Sequence, residues 1–290
     1  MDHLQFYQSE LLAFNHTLSA HRYSESTCRI YVTMFREFLN YLYPRRLHSI
    51  NGQDIVRFQS ALITRKKISR SYQNQSINAI KFYFEKVLHC KKQRFKLERP
   101  KKENTLPVIL SKKEVARVIS CIKSIKHRAI ISTIYGTGLR ISELQHLKIE
   151  DIDSDHRRIW IRSGKGNKDR ATLLPDNLLM LLRAYYRKHR PEKFLFEGPD
   201  GGIYSASSIR KILKRACFKA GVRKKVTPHT LRHSFATHLM ESGVNLRYIQ
   251  TLLGHTSSKT TEIYTHLCNQ HISEIRSPLS MLEDLSTFER

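Results

Sequence analysis

The amino-acid sequence predicts a mainly α-helical protein with two parts, an N-terminal four-helix bundle and a C-terminal α+β domain that contains a small antiparallel sheet. Apolar residues recur at intervals of three and four along four segments of the first ninety or so residues, as amphipathic helices require. A second series of such segments begins near residue 108. Within that series, alternating apolar residues on both sides of a glycine-containing turn indicate a β-hairpin.

Each of the four N-terminal segments combines a helical pattern with boundary signals. We expect helices over His3–His21, Ser24–Tyr43, Asn51–Leu62 and Ser71–Leu88. Ser24 is suited to cap the second helix, and Pro44 to end it. Four helices in so short a stretch predict a small bundle.

A basic cluster is expected between the third and fourth helices and consists of Arg65, Lys66, Lys67 and Arg70. Most charge runs are simply solvated, but the charge of the whole chain favours contact with phosphate groups. The adjacent Tyr72 and Gln73 are candidates for contacts in a DNA groove.

Residues 91–107 are basic and contain proline, with little apolar periodicity. We therefore expect a linker there, between an N-terminal domain of residues 1–90 and a C-terminal domain of residues 108–290. The second domain opens with Ser111 and Glu114 at the spacing of a capping box, which predicts a helix over Lys112–Ile122.

The predicted hairpin has strands at Arg157–Arg162 and Arg170–Leu174, joined through a tight turn at Gly164–Asn167. Lys165 lies in that turn, where an ammonium group can reach a phosphate and protonate a departing oxygen. Lys168 is the rival for this role. The alternative is an exposed basic turn that touches only the DNA backbone.

A predicted helix begins after Thr227, a good N-cap, and ends at Gly243. His229 and Arg232 lie three residues apart and project from one side of its first turn. Backbone N–H groups and the helix dipole there favour an anion, and an arginine fork can hold two phosphate oxygens. The alternative is a structural histidine with surface charge. His233 pairs with His229 at a spacing of four, but no thiolate or carboxylate stands nearby to complete a metal site.

Arg140 follows a glycine-containing break and opens another helix, with Glu143 as its expected partner. A simple surface ion pair is the alternative interpretation.

His255 follows Gly254, which ends a helix capped by Asn245. Tyr264 comes nine residues later, and a phenol of pKa about 10 attacks at neutral pH only beside a base and cationic charge. Six side chains thus form a set able to hold and attack a phosphodiester: Arg140, Lys165, His229, Arg232, His255 and Tyr264.

Composition favours a soluble protein that binds a polyanion. Lysine and arginine number 51 against 25 aspartate and glutamate residues, so the net charge is +26. Nucleic acid is the simplest partner for such a chain, and an anionic membrane is the weaker alternative.

No apolar run approaches the roughly 20 residues of a spanning helix, and the N-terminus lacks the pattern of a signal peptide. Five scattered cysteines without a Cys-x-x-Cys motif predict reduced thiols and a cytoplasmic protein.

The motifs GLRISEL, GKGNKDR, TPHTLRHSFATHL, LLGH and IYTH, in this order over the last two-thirds of the chain, resemble the tyrosine recombinase (phage integrase) family. The SPLSML tail resembles the Xer-like branch. The resemblance implies a SAM-like N-terminal bundle that binds the core DNA site, and a catalytic domain of the DNA breaking-rejoining fold. It also implies that the two domains close around a duplex and that the six side chains form the active site, with Tyr264 as nucleophile.

The activity implied is that of a site-specific DNA recombinase, or integrase, which cuts and rejoins duplex DNA through a 3′-phosphotyrosyl intermediate without metal, ATP or cofactor. The implied partners are double-stranded DNA with an inverted-repeat core site and a tetramer of identical or related recombinases. The tail, Ile272–Leu285, would dock on a neighbouring subunit. The alternatives are a type IB topoisomerase-like strand transferase and a non-catalytic DNA-binding protein. A His-x-His relaxase is excluded because no two histidines lie two residues apart, and a metal nuclease lacks its carboxylate set.

Overall fold

The structure is a computed structural model that describes residues 5–90, 98–100, 106–162, 169–254 and 261. Over these ranges the chain forms eleven α-helices and one three-stranded antiparallel sheet, which confirms the predicted fold class. The chain divides into two compact units, Met1–Asn104 and Thr105–Arg290.

The N-terminal unit is a helical bundle, as predicted. Its helices are α1 (Gln8–Ala20), α2 (Glu25–Leu42), α3 (Gly52–Lys66) and α4 (Arg70–Phe82). The Ser24 side chain accepts a hydrogen bond from the backbone of Thr27 and caps α2 as expected. The core contains many aromatic rings, among them Phe14, Phe35, Phe38, Phe58 and Tyr83. The last predicted helix is interrupted, because α4 passes at Tyr83 into a wider π-helical turn that ends at Val87.

The basic cluster lies on the exposed surface of this unit, but it is not confined to a loop. Since α3 continues to Lys66, both Arg65 and Lys66 belong to its last turn, and Lys67 ends it in the left-handed conformation with φ of 47°. The Tyr72 hydroxyl donates to Glu37 at 2.6 Å. Burial and this carboxylate raise the pKa of Tyr72 to about 12, so the phenol stays protonated and keeps donating to Glu37.

The C-terminal unit has seven helices among its described residues. They are α5 (Lys112–Ser120), α6 (Ile125–Thr137), α7 (Ile141–His146), α8 (Asp176–His189), α9 (Ala206–Lys219), α10 (Pro228–Glu241) and α11 (Leu246–Leu253). The predicted capping box is present, because Ser111 and Glu114 exchange side chain-to-backbone hydrogen bonds. The central helix α6 has only buried and half-buried residues, and Ile130, Ile131 and Ile134 have no exposed surface.

The sheet consists of β1 (Ile152–Asp153), β2 (Arg158–Ile161) and β3 (Arg170–Leu173), in that order. Strands β2 and β3 form the predicted hairpin, with Ile161 opposite Arg170. Its tip, residues 163–168, lies outside the described residues. Trp160 projects to the opposite side from Ile161, is 37% exposed and lies under the Arg158 guanidinium.

Two negative observations hold for the described residues. None of their helices combines the length and the apolar character needed to cross a bilayer. The described cysteines, Cys28, Cys90, Cys121 and Cys217, are free thiols. Cys268 and the predicted tail helix lie outside the described ranges.

Candidate active site

Arg232 lies one turn into α10 and is buried, with 3% of its surface exposed. The helix begins as predicted: Thr227 caps it and Pro228 occupies its first turn. The Arg232 Nη1 donates to the Gly138 carbonyl at 2.5 Å, and Nη2 donates to the Leu253 carbonyl at 2.6 Å. One guanidinium therefore joins α10 to the C-terminal ends of α6 and α11.

Arg140 is the residue immediately before α7, and its backbone is extended. Its Nη1 donates to Glu143 Oε1 at 2.7 Å, while its backbone N–H donates to Oε2 at 2.8 Å. This confirms Glu143 as the partner. The pair is not the surface ion pair of the alternative interpretation, because the Glu143 side chain is only 5% exposed. A third contact, from Nη2 to the Gly254 carbonyl at 3.4 Å, ties Arg140 to the end of α11.

Arg170, which the sequence interpretation did not include in the site, binds the same carboxylate. Its Nη1 and Nη2 donate to Glu143 Oε1 and Oε2 at 2.9 and 2.8 Å, as a two-pronged pair. Its Nε donates to the Leu252 carbonyl at 2.9 Å. A usable signal was present, since strand alternation puts Arg170 on the same face as the buried Thr172. An arginine at an inward strand position requires a partner.

Glu143 is thus the centre of a cluster that we call the carboxylate centre, formed by Glu143 with Arg140, Arg170 and Arg232. Arg232 Nη1 stands 3.8 Å from Glu143 Oε2. Burial raises the pKa of Glu143, but its hydrogen bonds with Arg170 and Arg140 more than offset this and lower the pKa to about 2. The carboxylate is therefore ionised at neutral pH. The cluster still holds more positive than negative charge, as an anion-binding site requires.

His229 lies at the start of α10 and is one of the exposed residues of that helix. Partial burial, together with the charges of Arg232, Arg140 and Arg210, lowers the pKa of His229. The imidazole is therefore neutral at pH 7 and able to accept a proton. His233, one turn further, is half-buried, and burial lowers its pKa to about 4, in keeping with a packing role. No group of three potential metal ligands occurs within the described ranges.

Two glycines end the helices whose carbonyls the arginines hold. Gly138 after α6 has φ of 66°, and Gly254 after α11 has φ of 62°. A Cβ atom on Gly138 would stand 2.5 Å from a Phe235 ring carbon, and one on Gly254 would stand 2.8 Å from Arg170 Cδ. Both the left-handed backbone and the close packing therefore require glycine.

The structure brings together three of the six predicted residues, Arg140, His229 and Arg232. The other three, Lys165, His255 and Tyr264, lie outside the described residues. A cavity of about 470 Å³ adjoins the start of α10, and basic side chains contribute to its lining: Arg210, Lys214, Lys224 and Lys225. Its apolar part is formed by residues that include Phe218 and Val226.

Comparison with known proteins gives consistent matches over most of the chain. Residues 108–271 match the phage integrase family, and residues 11–93 match the phage integrase N-terminal SAM-like domain. The chain is 38% identical over 268 residues to the tyrosine recombinase XerA of Pyrococcus furiosus. That alignment covers 90% of this chain and 91% of that protein.

Solved structures are also similar to this chain. The fold is similar to that of the XerH site-specific recombinase bound to difH substrate in a pre-cleavage complex. The TM-score is 0.69 and the sequence identity 25%, and the alignment covers 85% of this chain and 77% of that one. A lambda integrase dimer bound to a core site is alike in fold only, with a TM-score of 0.72, 17% identity and coverage of 93% and 98%. The chain therefore belongs to the phage integrase family and is a site-specific DNA recombinase of the tyrosine type, with an Xer-like pattern.

Proposed function

We propose that this recombinase cuts and rejoins duplex DNA through a 3′-phosphotyrosyl intermediate, without metal or ATP. The observation that carries the proposal is the carboxylate centre, in which Arg140 and Arg232 are anchored from different helices around Glu143. Fixed cations of this kind stabilise the negative charge that develops on a phosphate under attack. The neutral His229 beside them supports a role in proton transfer.

The proposed reaction uses the whole predicted set. The phenol oxygen of Tyr264 attacks the scissile phosphorus, so that a new P–O bond forms while the bond to the 5′ oxygen breaks. Lys165 donates a proton to that leaving oxygen. His229 aids proton transfer by accepting the proton that the Tyr264 phenol loses, and His255 joins the arginines in stabilising the pentavalent state. Because one phosphodiester replaces another, the bond energy is kept in the phosphotyrosyl link and no ATP is consumed.

The proposed partners are duplex DNA with an inverted-repeat core site and further copies of this chain, or of a related recombinase, in a tetramer. A net charge of +26 and the DNA complexes among similar structures support a DNA partner. We assign core-site binding to residues 1–90, a linker role to 91–107 and catalysis to 108–290, in a cytoplasmic protein.

The decisive experiment traps covalent protein–DNA adducts from fragmented genomic DNA, recovers them under denaturing conditions and sequences the attached fragments. The wild-type chain should yield adducts at a defined site, and Tyr264→Phe should yield none while still retarding the same DNA in a native gel. An adduct that survives in Tyr264→Phe would remove this residue from the nucleophile role. The described Tyr248, which is exposed, provides a matched control: Tyr248→Phe should cleave normally.

Two further readouts separate the alternatives. EDTA should leave adduct formation unchanged, whereas a chemical step that requires magnesium would favour a metal nuclease. Relaxation of supercoiled plasmids lacking the recovered site, with no exchange of strands between two sites, would instead indicate a topoisomerase.

A further inference from the structure

Arg170 has the structural features of a residue that organises the site rather than one that merely fills the core. It is an arginine on the inward face of β3, and its side chain is 8% exposed. It is placed within hydrogen-bond distance of both oxygens of Glu143 and of the last turn of α11. None of the six predicted active-site roles accounts for it.

The arrangement of donors around Glu143 shows what Arg170 does there. The carboxylate already accepts from the backbone N–H and the Nη1 of Arg140. Arg170 adds one bond to each oxygen. An ionised carboxylate has about four acceptor positions, so these bonds use them all. Arg232 is left at 3.8 Å from Glu143, which is beyond hydrogen-bond length.

This saturation affects how strongly the other arginines can bind an anion. If Arg170 were absent, two acceptor positions on a buried carboxylate would open beside the guanidinium groups of Arg140 and Arg232. Arg232 and Arg140 would then turn further toward Glu143, and less of their charge would face a phosphate. The contact of Arg170 Nε with the Leu252 carbonyl also fixes the end of α11, whose last carbonyls hold Arg232 and Arg140.

We propose that Arg170 is a positioning residue for phosphodiester cleavage: it saturates Glu143 and fixes the end of α11, so that Arg140 and Arg232 keep their guanidinium groups directed at the scissile phosphate. This inference rests on the proposed function, and it assigns Arg170 no contact with DNA. The close packing of Gly254 against Arg170 supports it, because a Cβ atom there would meet the Arg170 side chain at 2.8 Å.

The test is single-turnover cleavage of a duplex carrying the recovered site, with either a normal scissile phosphate or a methylphosphonate that lacks its negative charge. Arg170→Met should slow cleavage of the normal phosphate by about 100-fold, as misplaced catalytic groups do. It should slow the methylphosphonate much less, because that substrate needs less positive charge. Arg170→Lys, which restores a charge without the fork, should recover part of the rate.

Arg158→Met is the matched control. Arg158 belongs to the neighbouring strand β2 and pairs with Asp153 at 2.8 Å, so its loss also removes an arginine–carboxylate pair from the sheet. It should cleave both substrates at the wild-type ratio. Equal slowing of the two substrates by Arg170→Met, in proportion to its loss of stability, would reduce Arg170 to a structural residue and overturn the inference.

The outcomes also separate this inference from the proposed function. If the wild-type chain forms no adduct with any DNA, the proposed function fails. If it reacts but Arg170→Met cleaves both substrates at the wild-type rates, only the positioning role fails. Should Arg170→Met not fold, the same substrate comparison is made with Arg170→Lys, and a wild-type ratio of the two rates in that variant would refute the role.

Discussion

At the scale of single residues, one carboxylate organises the described part of the candidate active site. Glu143 is buried and ionised, and it is surrounded by the guanidinium groups of Arg140, Arg170 and Arg232. Without it, three cations would lie close together in a poorly hydrated place, at a large cost in free energy. Glu143 therefore allows the protein to keep a net positive charge at the proposed phosphate site.

Replacing Glu143 tests this role. Glu143→Gln should lower the free energy of unfolding of the C-terminal unit by about 3 kcal/mol, because it leaves buried guanidinium groups without an anionic partner. Urea unfolding followed by circular dichroism measures the change. Glu150→Gln is the control, since Glu150 is also paired with a cation but its side chain is 58% exposed. It should cost less than about 1 kcal/mol, and equal costs for the two variants would contradict the account.

The histidines of α10 predict how stability depends on pH. Because burial lowers the pKa of His233 to about 4, the unfolded chain binds more protons than the folded one at pH values between about 4 and 6.5. Stability should therefore fall as pH decreases through this window. Glu143, whose folded pKa is about 2, extends the loss below its unfolded value of about 4.5.

Urea midpoints measured from pH 7 to pH 4 test this expectation. His233→Gln should flatten the dependence above pH 4, where one fewer group takes up a proton on unfolding. An unchanged slope in that variant would show that His233 does not cause the effect.

At the scale of elements, two helix ends are as important as the side chains they hold. The end of α6 at Gly138 and the end of α11 at Gly254 present the carbonyls that receive Arg232 and Arg140. Each end adopts a left-handed turn and approaches a bulky side chain closely. These turns thus set the positions of two arginines that come from other parts of the chain.

Gly138→Ala should distort this arrangement. The alanine would have to keep a backbone φ near 66°, which residues with a side chain rarely adopt. Its Cβ atom would stand 2.5 Å from the Phe235 ring and 2.9 Å from Leu253. We expect a loss of at least about 3 kcal/mol in unfolding free energy, from backbone strain and overpacking together, and slower adduct formation. Gly221→Ala is the matched control, because Gly221 has a φ of 68° but no atom within 4 Å of the added Cβ. Its cost should be about 1 kcal/mol, with normal adduct formation.

At the scale of the whole molecule, the feature most relevant to DNA binding is the net charge of +26. Much of it lies on exposed surface in both units, including the cluster around Lys67 and the cavity lined by Lys214 and Lys225. Each phosphate that a cation neutralises releases counterions, so DNA affinity should depend steeply on salt.

Fluorescence anisotropy with a labelled duplex measures that dependence. If six to ten phosphates are neutralised, affinity should fall by about 10³ to 10⁵ between 50 and 200 mM salt. Lys67→Ala combined with Arg70→Ala should reduce the slope by about two, because two phosphate contacts are lost. Tyr264→Phe should leave the slope unchanged, since it removes no charge. A slope that the double variant leaves unaltered would exclude this cluster from DNA binding.

The helices and the hairpin were predictable because their signals are local. The cap at Ser111, the stop at Gly254 and the alternation through Ile159 depend only on residues close in sequence. The pairing of Arg140 with Glu143 was accessible for the same reason, since the two lie three residues apart. Lys165, His255 and Tyr264 remain predictions.

The sequence by itself thus determined the helical class, the hairpin, the basic character of the chain and the motifs of a tyrosine recombinase. Only the tertiary structure decided that Arg170 shares Glu143, and that Arg232 is held by the carbonyls of Gly138 and Leu253. These contacts join residues 21 to 94 positions apart, and residue periodicity carries no information about which segments meet. The physical reason is burial. A guanidinium removed from water needs hydrogen-bond acceptors, and only the folded chain determines which carbonyls and carboxylates lie within its reach.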